Sequence, residues 1–178
     1  GAKLCKVYQP EDDGPINDRR LWPFYEKAQE LGIPLTLHTG VSYVCPQPNS
    51  HCHPQQLDDV ALAFPDLKMI AYHAGWPYTE ELIGLCGKHK NLYMSLSGIF
   101  GWYQRSPYRG YHAIGTALQW VPADKIVLGF DLPFDDLPRV TDYIRDLSMP
   151  EELQEKWGYA QVTDEDKAKI LGLNLAKL

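Results

Sequence analysis

The stretch Pro34-Leu35-Thr36-Leu37-His38-Thr39-Gly40 decides the fold, because it returns in altered form as Met69-Ile70-Ala71-Tyr72-His73-Ala74-Gly75. Each is a short apolar run that ends on a histidine, with a glycine two residues further on. Such runs, bounded by Gly, Pro, Asn or Asp, read as buried strands. Glycine at that distance fits a tight turn or a close approach to the backbone. Working outward, three more runs of this type are predicted, at Leu4 to Tyr8, Leu92 to Leu96 and Lys125 to Leu128. The last leads through Gly129-Phe130 to Asp131.

Helical spacing fills the intervals. Leu21, Phe24, Tyr25, Ala28 and Leu31 share one predicted face, as do Leu57, Val60, Ala61 and Phe64. Gly32 stands where a left-handed residue ends the first of these helices, and Thr79 with Glu80 and Glu81 starts another. Thr163 to Leu171 opens on Thr163 and acidic residues and reads as a capped closing helix that stops at Gly172. Strands alternating with helices imply a parallel sheet covered by helices. Five strands are too few for a closed (β/α)₈ barrel, which takes about 250 residues. The 178 residues therefore read either as an incomplete barrel or as an open doubly wound sheet. The abrupt start at Gly1-Ala2-Lys3-Leu4 favours a barrel domain, residues 1–178, truncated at its N-terminus.

Composition narrows the function. With 44% hydrophobic and 22% charged residues, the chain has the makeup of a soluble globular domain. A net charge of -6 and the lack of a Lys/Arg cluster argue against nucleic acid and for a small-molecule substrate. No apolar run reaches membrane-spanning length and no leader is recognisable, so a cytoplasmic location without membrane attachment is expected. Cys5, Cys45, Cys52 and Cys86 lack the spacing of a disulfide framework, and Cys5 and Cys86 read as small core residues.

Three strand candidates end on His38, His73 and Asp131. In parallel α/β folds the carboxyl ends of the strands form the ligand-binding edge, so these residues are expected to converge. Imidazole and carboxylate suit a divalent metal, with Zn²⁺ first and Mn²⁺ second. Each residue alone also has a structural explanation, as a satisfied polar plug or a turn cap. Arg105 and Arg109, with Tyr108 and Tyr111, follow the fourth strand candidate. They read either as loop arginines that grip a substrate carboxylate or as a solvated loop with aromatic anchors. Trp76 and Trp102 are candidate walls of an apolar substrate pocket, or packing residues. His89 reads as a helix C-terminal residue, and Asp135-Asp136 as the opening of a helix or a solvated pair, ahead of a second metal site. His51-Cys52-His53, in a Pro-rich loop, is weighed as a replacement ligand pair, with or without Cys45, against a loop that covers the substrate.

The blocks Leu37-His38-Thr39-Gly40, Phe64-Pro65-Asp66-Leu67, Tyr72-His73-Ala74-Gly75-Trp76-Pro77, Asn91-Leu92-Tyr93-Met94, Lys125 to Pro133 and Lys169 to Ala176 together resemble the amidohydrolase-related family that contains aminocarboxymuconate-semialdehyde decarboxylase and γ-resorcylate decarboxylase. The resemblance implies about the last five βα units of a TIM-type barrel. It implies His38 and Asp131 as metal ligands, His73 as a catalytic histidine, and Lys6 on the fourth barrel strand close to the site. The family's first-strand ligand pair has no counterpart before Lys6, so the chain alone is expected to hold metal weakly. The implied activity is metal-dependent hydrolysis or nonoxidative decarboxylation of a small carboxylated, cyclic or aromatic substrate, with Asp131 also moving a proton. The alternative is a noncatalytic half-barrel that associates with another chain. Exposed edge strands lead us to expect a homo-oligomer or a missing N-terminal segment. A flavodoxin-like binding module is weaker, since no Gly-rich phosphate loop follows a strand.

Overall fold

The computed structural model describes residues 2–8, 14–43, 48–98, 101, 105–133 and 135–178. The strands β1 (Cys5–Val7), β2 (Leu35–Leu37), β3 (Met69–Ala71), β4 (Leu92–Ser95) and β5 (Ile126–Val127) each lie inside an apolar run read from the sequence, and they bond in chain order. The ladders from β1 to β4 are parallel, with Val7 opposite Leu37 and Leu37 opposite Ala71. Their carboxyl ends are therefore level, and Tyr8, His38 and Tyr72 emerge side by side. β2 and β3 are buried along their whole length, as strands covered on both faces must be.

Two compact units divide the chain, Gly1–Met94 and Ser95–Leu178. The first holds β1 to β3, most of β4, and the helices α1 (Trp22–Glu30), α2 (Leu57–Ala63) and α3 (Thr79–Lys88). α2 buries Leu57, Val60, Ala61 and the following Phe64 as its pattern predicts. α1 is narrower than predicted. Tyr25 and Ala28 are buried, but Phe24 is 41% and Leu31 59% exposed. Tyr25 anchors the helix by donating its hydroxyl to the Ile16 carbonyl at 2.7 Å and by packing edge-on against Phe64. Gly32 is left-handed, with φ +63, as a helix C-terminus there requires. Thr79 is the first helical residue of α3, with Tyr78 in the capping position.

The second unit contains α4 (Pro107–Trp120), β5, α5 (Leu137–Arg145), α6 (Glu151–Trp157), α7 (Asp164–Ala168) and α8 (Asn174–Lys177). Leu96, just past β4, donates its N–H to Val127 of β5 at 3.0 Å. The closing segment is longer than the sequence implied. Thr163 caps α7 in a reciprocal capping box with Asp166. Gly172 does not stop the chain, which runs through a π-turn, Lys169–Leu173, into α8. The purpose of the extension is visible in buried Asn174, whose side-chain amide donates to Ala123 and Ile126 carbonyls at 2.7 and 2.8 Å. Together with the bond from Leu128 N–H to the Ile170 carbonyl, this clamps β5, the strand that leads to Asp131.

Candidate active site

His38 follows β2 directly and is 5% exposed. Its Nδ1 lies 3.1 Å from His73 Nε2, and the Tyr8 ring stands edge-on to it at 4.9 Å. Burial, then the charges of His73 and Lys6, push its pKa down to about 3. The imidazole is therefore neutral at any ordinary pH, the form a metal needs. Its Nε2 is buried and has no hydrogen-bond partner among the described residues. A buried polar atom left this way is costly unless something absent from the chain binds it.

His73 reaches His38 because the chain turns sharply after β3. His73 and Ala74 have φ of +61 and +48, a left-handed region that costs side-chain-bearing residues about 1–3 kcal/mol each. Contacts from the neighbouring strand end hold the turn. Thr39, fully buried, donates its hydroxyl to the Tyr72 carbonyl at 2.5 Å, and Val41 N–H donates to the Trp76 carbonyl at 2.9 Å. Gly40 makes this approach possible, since a Cβ there would lie 2.0 Å from the Trp76 oxygen. The expectation of glycine for close approach holds at this position.

The Lys6 ammonium sits over the rings of Tyr72, at 4.7 Å, and Tyr8, at 5.5 Å. Cation–π attraction of this kind holds a lysine in place. Lys6 makes no ion pair among the described residues. The Tyr8 hydroxyl and Ser42 Oγ are 3.1 Å apart, and Trp76 stacks on Tyr43, itself 81% exposed. Lys6 on β1 and the strand-end residues Tyr8, His38 and His73 are thus joined in the first unit, and Trp76 follows on the same turn as His73.

Asp131, beyond β5, belongs to the second unit. Its N–H donates to Asp135 Oδ2 at 2.6 Å. Arg105 and Arg109 are exposed, and neither makes an ion pair among the described residues. Arg109 lies in the first turn of α4 and not in a loop, because Pro107 opens that helix. The neighbouring tyrosines act as anchors, Tyr108 to Glu152 and Tyr111 against Tyr143. His51 lies within one 3₁₀ turn, Asn49–Cys52, and His53 joins it to a second, Pro54–Gln56, where its Nδ1 accepts the Gln55 N–H at 3.3 Å as a cap. Between them Cys52 is buried, its thiol pKa raised to about 11 by burial, and its carbonyl accepts the Gly40 N–H. This segment supports the His38 strand end. His89 ends α3 as expected, while its side chain meets Asp58 at 2.5 Å. Cys86 is buried and Cys5 half-buried. Cys45 and Trp102 lie outside the described residues. Among the described residues, no three His, Cys, Asp or Glu side chains are gathered to hold a metal ion. The donor that fits a metal on this structure is His38, by its neutral ring and uncommitted Nε2.

Comparison with known proteins places this geometry in a class. An uncharacterised TIM-barrel protein from Bordetella bronchiseptica is 25% identical, with a TM-score of 0.78 over 100% of this chain and 57% of that one. A dihydroxybenzoic acid decarboxylase from Polaromonas sp. JS666, solved with manganese and 2-nitroresorcinol, is 16% identical, with a TM-score of 0.60 over 92% of this chain and 54% of that one. A 2-pyrone-4,6-dicarboxylic acid hydrolase from Pseudomonas putida, so assigned without proof of activity, is 19% identical, with a TM-score of 0.58 over 96% and 60%. The chain spans little more than half the length of these proteins. No curated protein matches. The fold is that of an incomplete TIM-type barrel. The chain belongs to the amidohydrolase family, whose profile matches residues 1–178.

Proposed function

We propose that this chain carries part of the active centre of a metal-dependent hydrolase or nonoxidative decarboxylase acting on a small ring-containing or carboxylated substrate. The observation that carries the reading is buried, neutral His38, which turns one nitrogen to His73 and leaves the other uncommitted. His38 and Asp131 would hold the metal, Zn²⁺ or Mn²⁺. When bound, a divalent ion supplies Lewis acidity and makes water acidic near neutral pH.

The other roles follow from chemistry. His73, at the mouth of the same strand ends, holds or passes the proton that hydrolysis or carbon protonation requires through the ring nitrogen not turned to His38, and Asp131 can take a proton from water. The Lys6 ammonium, set over two tyrosine rings, binds a substrate carboxylate. Trp76 with Tyr43 offers a flat wall to an unsaturated ring. Arg105 and Arg109, whose guanidinium groups make no ion pair among the described residues, are further carboxylate anchors. The two decarboxylase and hydrolase relatives by fold name ring acids as the substrates to try first.

The test is a panel of hydroxybenzoates and cyclic lactone acids offered to the protein with Zn²⁺ or Mn²⁺, read for CO₂ release and for ring opening. Turnover of one class, lowered about 10²- to 10⁴-fold by His73→Ala, supports the reading. No turnover in either class, with Zn²⁺ affinity indifferent to His38→Ala, would end it.

A further inference from the structure

Asp135 is 8% exposed and makes no ion pair among the described residues, an unfavourable place for a carboxylate unless its oxygens are otherwise satisfied. The cap at the opening of α5 is supplied by its neighbour. Asp136 is the N-cap and accepts the Arg139 N–H at 3.2 Å. Asp135 Oδ2 instead accepts the Asp131 N–H at 2.6 Å and the Gly98 N–H at 3.4 Å. Its own N–H donates to the Asp131 carbonyl at 3.0 Å. Residue 131 is thus held on both sides of its α-carbon by residue 135.

We propose that Asp135 is a positioning residue that fixes the backbone of Asp131 and so aims the Asp131 carboxylate. This rests on the reading of Asp131 as a metal ligand. A charge-assisted bond to a backbone amide is short and directional, and it removes the freedom of the peptide before Asp131. Residues that orient a ligand in this way typically govern affinity by about 10- to 100-fold.

The experiment measures Co²⁺ binding to the full chain through its visible absorption. Asp135→Ala should weaken Co²⁺ binding about 10- to 100-fold and shift the absorption band. Asp135→Glu, which keeps the charge but misplaces the acceptor, should do the same, and serves if the alanine variant does not fold. Asp135→Asn, whose amide oxygen can still accept the Asp131 N–H, should recover most of the affinity. Asp136→Ala, which removes the α5 cap and lowers stability, should bind Co²⁺ like the wild type. Wild-type affinity in Asp135→Ala or Asp135→Glu, while Asp131→Ala has lost Co²⁺, would overturn the positioning role and leave the ligand reading standing. Wild-type affinity in Asp131→Ala, or no uptake by the wild type, would overturn the ligand reading and this inference with it.

Discussion

His38 Nδ1 and His73 Nε2 stand 3.1 Å apart across the ends of adjacent parallel strands. One proton bridges them, and its place decides what the pair can do. With the proton on His38 Nδ1, donated to His73, the buried His38 Nε2 keeps a bare lone pair. Metal-binding histidines commonly use this arrangement, one nitrogen to the ion and the other N–H to a partner that fixes the ring.

The hydroxyl of Thr39 pins the carbonyl just before His73, so it holds the left-handed turn from outside. Thr39→Val keeps the shape and removes the bond. It should cost about 1 kcal/mol in urea unfolding and lower turnover, while Thr39→Ser restores both. Equal stability of the valine and serine variants would count against the bond.

Gly40→Ala places a methyl 2.0 Å from the Trp76 carbonyl oxygen at a φ of +85. A loss of about 2 kcal/mol or more is expected. Gly84→Ala, in the middle of α3 with open space around it, should instead be neutral or stabilising by up to about 1 kcal/mol. Urea midpoints of the two variants check the contrast, and similar midpoints would contradict the close approach.

Asp58 is held below its ordinary pKa of 3.8 by hydrogen bonds from Lys88 and then His89. A carboxylate lowered in the folded state binds fewer protons there than in the unfolded chain. Its contribution is therefore complete above the ordinary value and is lost as pH falls through the folded one. The stability gap between wild type and Asp58→Asn should shrink as pH is taken from about 7 to about 3. A gap that stays constant across that range would contradict the shift.

How far the sequence could be read follows from what sets each feature. The strand ends were legible because a buried parallel strand leaves an apolar run with a polar terminus, so His38 and the β3 end could be placed together before any coordinates. The turn at His73 and Ala74 was not, since its conformation comes from Thr39 and Trp76 contacts rather than from its own residues. Arg109 reads as a loop residue from its Gly- and Pro-bearing surroundings, although Ser106-Pro107 is an ordinary helix opening. Asp135 reads from the sequence only as part of a helix opening or a solvated pair. The signal that would have found it is the four-residue spacing from Asp131 across Pro133, with Asp136 already free to cap.

The central claim is that His38 and Asp131 are ligands and His73 is not. Zn²⁺ affinity of His38→Ala, Asp131→Ala and His73→Ala, measured by equilibrium binding alongside the wild type, tests it most directly. Removing a ligand lowers affinity directly, whereas removing a neighbouring acid-base group acts on turnover. The expected result is marked loss of Zn²⁺ affinity in the first two variants and much of it retained in the third. Loss in His73→Ala with wild-type affinity in His38→Ala would mean that the ligand and the catalyst are exchanged, and undiminished affinity in all three would contradict a metal site built on these residues.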